Sequence, residues 1–295
     1  MFERLIIATD LSPEAYAVLN CLGGLKAYGA KECLLLQCLP IQETASSLRT
    51  FASGVLEQNL QGQKGILEQQ GYTVKTRVVQ GLAKNEINRI AVEENYSVMV
   101  VGARSHTMTS EAFLGNLAYD LIHHAQKPVL IIRLEDNPDG LSCVKTIGCD
   151  ISNHVLVPTD FSDNAELAFQ YVKKMVADGA KKVTLLHVQD KAFLSLFLAE
   201  QLETYDDMDN DRLRNMKRIL QEQGKTEVEA ILSYGSPSVE ILNTVHERNI
   251  QLIVMGSQGR GFVKEFFLGS VSHNIARHSA ASVLLIPAKR ENELV

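Results

Sequence analysis

The sequence predicts an α/β protein made of two tandem five-stranded parallel sheets, each in the order 3-2-1-4-5 with helices on both faces. Three observations lead there. Short apolar runs alternate regularly with helical patterns, as in parallel sheets covered by helices. The whole pattern occurs twice, as an internal repeat. The 295 residues, 45% hydrophobic and 22% charged, suffice for two soluble domains with a core each.

The repeat sets the frame. "IIATDLS" (6–12) answers "LVPTDFS" (156–162), which puts Asp10 on Asp160 at an offset of 150. "YGAKECLLL" (28–36) falls on "DGAKKVTLL" (178–186) at the same offset. "GLAKNEI" (81–87) then answers "GSPSVEI" (235–241) at an offset of 154, which also relates Gly102 to Gly256 and Gly115 to Gly269. One small insertion in the middle of the second half accounts for the shift.

Each half reads in the same order. A first apolar run (4–9; 154–159) is short and rich in Ile, Leu and Val, as buried strands are. A helix follows, opened by Ser-Pro-Glu at 12–14 or Ser-Asp-Asn at 162–164, where a serine oxygen can accept from first-turn amides. Gly29 and Gly179 stop these helices. A second run (32–39; 182–188) leads into a longer helix ending near Gly71 or Gly224. Partly alternating runs at 72–79 and 227–233 supply the third strands, and helices follow at 82–95 and 236–248. "SVMVVG" and "QLIVMG" are the fourth strands; a glycine loop and a helix then reach "PVLIIR" (128–133) or "SVLLIP" (282–287). The turn-rich stretch 134–153 reads as a linker, giving domains at 1–133 and 154–295.

Several classes are disfavoured. The net charge is −6, and no Lys/Arg block is long enough to form a nucleic-acid surface. The opening "MFERLIIATD" is interrupted by Asp10 and does not read as a secretory signal, and no run reaches the length of a membrane span. A cytoplasmic location is expected. The five cysteines (Cys21, Cys33, Cys38, Cys143, Cys149) lack C-x-x-C spacing and read as buried or idle thiols, with Cys143 and Cys149 the pair to watch. His123 and His124 are adjacent rather than one helical turn apart, a poor metal pair; no metal site and no catalytic residue is assigned. His187, near the end of the second strand of the second half, can approach the pocket. The apolar "FLSLFLAE" (193–200) suits a core or dimer face, or a partner surface.

Chemistry points to the second half. In an open parallel sheet, ligands bind beyond the carboxyl ends of the strands where strand order reverses, here between the first and fourth strands. The loop after the first strand carries Thr159, Asp160 and Ser162; the loop after the fourth carries Gly256, Gly259, Arg260, Gly261, Gly269 and Ser270. Glycine permits positive φ and lets backbone amides approach an anion. Gly269-Ser270 opens a helix whose free amides favour negative charge, with Ser270 and Ser272 as hydroxyl donors or contacts for a metal ion. Asp160 can accept from ribose hydroxyls or an adenine amine, or merely shape the turn, while Val188 and Met255 offer apolar surface to a purine. Hydrogen bonds to a charged group contribute about 1.5–3 kcal/mol each, against about 8 kcal/mol for micromolar affinity.

Gly256-x2-Gly259-x9-Gly269-Ser270, "VPTDFS", "LLHV" (185–188) and "SVLLIP" together resemble the ATP-binding universal stress proteins, along essentially the whole chain as two tandem domains. The resemblance implies an adenine-nucleotide alpha-hydrolase-like fold, and pairing of the domains through residues 128–133 and 282–287. It implies ATP as ligand, with Mg2+ as an optional companion. Pro158, Thr159, Asp160 and Val188 correspond to positions around adenine and ribose; Met255, Gly256, Gly259, Gly269, Ser270 and Val271 to those around ribose and phosphates. Arg260 can neutralise phosphate or be solvated. The first half departs: Ala8 replaces the proline, Ser105 the middle glycine and Asn116 the serine, and Arg104, Ser105 and His106 make a bulkier loop. Poor ATP binding is expected there. The implied role is regulation or stress resistance, through an unknown protein partner. The alternatives are a slow ATPase and a nucleotide-free interaction protein. No Walker sequence or H-E-x-x-H is present, and the loops after the first strands lack the glycines of ATP pyrophosphatase-like ligases.

Overall fold

The structure is a computed structural model that describes residues 2–10, 12–39, 46–104, 116–137, 140–143, 150–190, 202–260 and 268–288. The chain divides into two compact units, Met1–Lys145 and Thr146–Val295.

In the first unit β1 (Arg4–Ala8), β2 (Glu32–Leu39), β3 (Thr73–Gln80), β4 (Val98–Arg104) and β5 (Val129–Asn137) are parallel in the order β3-β2-β1-β4-β5. α1 (Pro13–Asn20) packs with α2 (Ser46–Gln69), and α3 (Ala83–Glu93) with α4 (Asn116–His124), one pair to each face. A fold-back strand β6 (Gly140–Cys143) pairs antiparallel with the end of β5, Leu134 opposite Cys143. Part of the stretch read as linker is therefore a strand paired with the end of β5.

The second unit repeats the plan. β7 (His154–Pro158), β8 (Lys182–Gln189), β9 (Glu227–Tyr234), β10 (Leu252–Gly256) and β11 (Ser282–Ile286) run in the order β9-β8-β7-β10-β11. α5 (Asp163–Ala177) packs with α6 (Leu202–Gln223), and α7 (Pro237–Glu247) with α8 (Ser270–His278). The first strands are central, and Leu5, Ile6 and Ile7, like Val155, Leu156 and Val157, are at most 1% exposed. At about 25 cal/mol per Å2 of apolar surface, such layers dominate the stability of each unit.

Local chemistry sets the element ends. Ser12 and Ser162 each accept a hydrogen bond from the amide three residues on, Ala15 and Ala165, at 3.2 Å. α5 closes on Gly179 at φ 102°, with Gly179 N donating to Val176 O and Ala180 N to Met175 O, a Schellman end. In the first unit the corresponding segment differs: α1 stops at Asn20 and a 3-10 helix (Gly23–Tyr28) continues to Gly29. Gly23-Gly24 interrupts the α-helix there, whereas no glycine interrupts α5.

Candidate functional site

Two loops meet at the carboxyl end of the second unit's sheet, one after β7 and one after β10. Asp160 joins them. Its Oδ1 accepts from Ser162 N (3.1 Å) and Ser162 Oγ (2.6 Å), which shapes the turn into α5. Its Oδ2 accepts from Arg260 N (2.9 Å), across 100 residues of sequence. The turn also holds Phe161 at φ 58°, rare for a residue with Cβ, with Phe161 N donating to Thr159 Oγ1 (3.0 Å). Thr159 is buried, and its amide donates to Leu186 O of β8 at 2.9 Å.

Below this turn lies a polar layer. His187 is buried, with Nδ1 at 2.7 Å from Thr159 O and Nε2 at 3.2 Å from Asp209 Oδ2. Gln189 Nε2 donates to the same Asp209 oxygen at 2.9 Å. The His187 and Phe161 rings lie 4.6 Å apart, and the Arg212 guanidinium stands 5.2 Å from the Phe161 ring centre. His187 thus reaches the loop after β7, as its position at the strand end suggested, and props it from beneath.

The loop after β10 is held by Asn164, which sequence reasoning did not single out, and by Ser272, which was expected to face the ligand and instead bonds the backbone. Ser257 N donates to Ile286 O at 2.8 Å, and Ser257 O accepts from Gly269 N at 2.8 Å. Asn164, second in α5, donates from Nδ2 to Ile286 O (3.1 Å) and accepts Gln258 N on Oδ1 (2.9 Å). Ser272 is buried, its hydroxyl 2.6 Å from Ser257 O and 2.9 Å from Gly269 O, so its proton is directed at the backbone. Ser270 is exposed and Val271 half-buried at the start of α8. That helix has Gly269 as N-cap, no side-chain cap and no acidic residue in its first turn, unlike α5 with Asp163 and Glu166. Its mouth retains the positive end of a helix dipole.

Positive φ, one of the two reasons expected for these glycines, is not what requires them. Gly256, Gly259 and Gly269 are not among the positive-φ residues, which include Gly179 and Gly235 in this unit. A Cβ on Gly256 would lie 2.7 Å from Asn164 Oδ1, and one on Gly259 would lie 2.6 Å from Asp160 Oδ2. Close approach by protein side chains requires the first two, while a Cβ on Gly269 would meet only ordinary contacts, the nearest at 3.5 Å. Pro158 ends β7 and is buried, Met255 is 7% exposed in β10, and Val188 is half-buried near the end of β8.

The first unit puts other groups in these places. Asp10 Oδ1 again takes Ser12 N (2.8 Å) and the Ser12 hydroxyl. Gln63 of α2, wholly buried, accepts from Thr9 Oγ1 (2.6 Å) and donates to Asp10 O (2.9 Å), so it covers the loop after β1. Arg104, at the end of β4, pairs with Glu14 of α1. Burial acts to raise the Glu14 carboxyl, but hydrogen bonds to backbone and Arg104 outweigh it and hold the group below its ordinary value. Ser105, His106 and Gly115 lie outside the described residues, as do Gly261 and 193–200; Asn116 begins α4.

Cys33 and Cys38 are free thiols; burial raises them to about 12 and about 11. Cys21 is disulfide-bonded, against the expectation of idle thiols throughout. His123 and His124 each turn Nδ1 to a carbonyl four residues back, Tyr119 O and Asp120 O. Among the described residues no group of three or more His, Cys, Asp or Glu could hold a metal ion, and no helix is long and apolar enough to cross a membrane.

Two such units, each with five parallel strands in this order and loops gathered at the strand ends, define a tandem α/β protein of the adenine-nucleotide alpha-hydrolase-like class. The chain belongs to the universal stress protein family, whose model matches residues 1–133 and again 152–287. A universal stress protein from Archaeoglobus fulgidus superposes with a TM-score of 0.77 at 25% identity, over 97% of this chain and 98% of that one. Universal stress protein MJ0577 of Methanocaldococcus jannaschii is 32% identical over 157 residues, 47% of this chain and 95% of its own. Universal stress protein YxiE of Bacillus subtilis is 30% identical over 146 residues, 45% of this chain and 98% of its own.

Proposed function

We propose that the second unit binds ATP and that the protein acts as a nucleotide-responsive regulatory or stress-resistance module. The observation that carries this reading is the Asp160 bridge. One carboxylate ties the loop after β7 to the amide of Arg260, so the two loops flanking the strand-order reversal are held together. The phosphates would lie toward the mouth of α8, where Ser270 is exposed and the first turn carries no acid to repel them. Gly259 and Arg260 would face them from the other side. Adenine and ribose would lie against Pro158, Thr159, Asp160, Val188 and Met255. Among the described residues one donor, Arg260 N, reaches Asp160 Oδ2, which would leave a lone pair for a ribose hydroxyl. Gly256 and Ser272 serve this site by holding its backbone.

The first unit supports the complementary reading. Gln63 covers the loop after β1, and the Arg104–Glu14 pair spans from the end of β4 to α1. That unit would be a structural partner with little affinity for nucleotide. Mg2+, where it accompanies ATP, would be held chiefly by phosphate oxygens and water, with the Ser270 hydroxyl as a candidate protein ligand.

Isothermal titration of the full chain with ATP tests both readings. One site per chain is expected, weakened strongly by Ser270→Trp and untouched by Asn116→Ala. No binding, or two equal sites of which one is lost in Asn116→Ala, would overturn the assignment.

A further inference from the structure

Asn164 is the side chain on which the loop after β10 is hung. It is 6% exposed, and both ends of its amide are used. The orientation is fixed chemically, since Ile286 O can only accept and Gln258 N can only donate. Ile286 O also receives Ser257 N, so one carbonyl at the end of β11 anchors two consecutive parts of the assembly. Ser257 O in turn receives Gly269 N and the Ser272 hydroxyl, which carries the linkage to the mouth of α8. Gln258 lies two residues before Arg260, whose amide is on Asp160. Gly256 is shaped to this contact, because a Cβ there would stand 2.7 Å from Asn164 Oδ1.

The repeat supplies an internal comparison. Position 14 answers position 164, and position 104 answers position 258. The first unit has Glu14 and Arg104 there, joined by their side chains. A carboxylate cannot donate to a strand-end carbonyl as the Asn164 amide does. The same two sites are therefore connected through a backbone amide in one unit and through a guanidinium in the other.

We propose that Asn164 is a positioning residue that determines phosphate competence: by spanning Ile286 O and Gln258 N it holds residues 256–260 in the form that receives the phosphates. The Asn164/Glu14 difference separates a phosphate-receiving unit from an ion-paired one. The proposal rests on the reading that ATP occupies the second unit, and extends it to a residue outside the glycine motif.

The test compares Asn164→Ala, Asn164→Asp and Asn164→Glu with the unaltered full chain, by titration with ATP and with adenosine and by hydrogen exchange of peptides covering 256–260. With two hydrogen bonds removed, Asn164→Ala is expected to weaken ATP about tenfold to a hundredfold. Adenosine, which has no phosphates, should change less than about threefold on the same argument. Exchange at 256–260 should quicken while β7 and β8 keep their protection. Asn164→Asp keeps the shape and the acceptor for Gln258 N, so it carries the test if the alanine variant does not fold; it and Asn164→Glu should also lose ATP selectively. Equal losses of ATP and adenosine would reduce Asn164 to a general structural role, and an unchanged ATP affinity would overturn the proposal. If the unaltered chain binds no ATP, the nucleotide reading fails on its own. The exchange arm still decides: unchanged protection at 256–260 would remove the positioning role.

Discussion

Gly259→Ala is a small change with a calculable consequence. The new Cβ would stand 2.6 Å from Asp160 Oδ2, whereas ordinary contact begins near 3.4 Å, a shortfall of about 0.8 Å. The carboxylate has little freedom to retreat, because Oδ1 is fixed by both the amide and the hydroxyl of Ser162. The loop must move instead, and the Arg260 N contact, now 2.9 Å, opens. Hydrogen bonds to charged groups contribute about 1.5–3 kcal/mol, and this one is exposed, so about 1–2 kcal/mol is the reasonable figure. Carried into binding, that is roughly 5- to 30-fold in ATP affinity. Backbone strain adds nothing, since Gly259 has no positive φ. Titration calorimetry paired with thermal melting measures the two effects separately. Affinity should fall by that factor, and the melting temperature of the second unit should fall by about 2–8 °C, the same roughly 1–2 kcal/mol read on the fold. ATP affinity within about twofold of the unaltered chain would refute the idea that the Asp160–Arg260 bridge shapes the site.

Two further outcomes follow from groups around the sheet. Ser272→Ala removes a buried hydroxyl but leaves Ser257 O its bond from Gly269 N, so the cost should be about 1 kcal/mol. That corresponds to a melting temperature lower by about 2–4 °C; an unchanged value would mean the hydroxyl is not a staple. His154 is held below its ordinary value of 6.5, first by burial and then by the nearby Lys182 charge, with Thr184 Oγ1 at 2.8 Å from Nε2. The unfolded chain therefore binds the proton more readily, and stability present above pH 6.5 is lost as pH falls through that value toward the folded one. Melting of the second unit should drop over this interval and drop less in His154→Gln; an identical slope in the variant would exclude His154 as the source.

Much of the fold was legible because its causes are local. Apolar runs, serine caps and helix-stopping glycines are written in contiguous residues, and the repeat let each half check the other. The meeting of the loops after β7 and β10 was legible too, because strand order alone puts a reversal between them. What holds the loops was not. Asn164 reads as one more polar residue opening a helix, and its partner Ile286 is 122 residues away and offers only a carbonyl, which any residue could supply. Asp209 below His187 is likewise a helix acid among many until α6 is packed on the sheet. The pairing of β6 with β5 escaped notice because a four-residue strand in a stretch rich in turn-forming residues carries no periodicity of its own.

The glycines show why a motif read from sequence mixes two causes. A glycine ends or nearly ends the fourth strand in both units, and in both the helix after the first strand presses against it. A Cβ on Gly102 would stand 2.5 Å from Val18 Cγ2, and one on Gly256 would stand 2.7 Å from Asn164 Oδ1. Close helix approach demands glycine whichever residue makes it, so these glycines follow from the fold and say nothing about a ligand. Chemistry enters with the pressing residue. A valine methyl fills space, whereas an asparagine amide also takes hold of the next loop. Gly259 has a different origin, because what approaches it is the carboxylate that bridges the two loops. Retention of the first glycine in the first unit is therefore no sign of a retained nucleotide site. The informative comparison is Asn164 with Glu14 and Gln258 with Arg104, where the same backbone positions are joined by different chemistry.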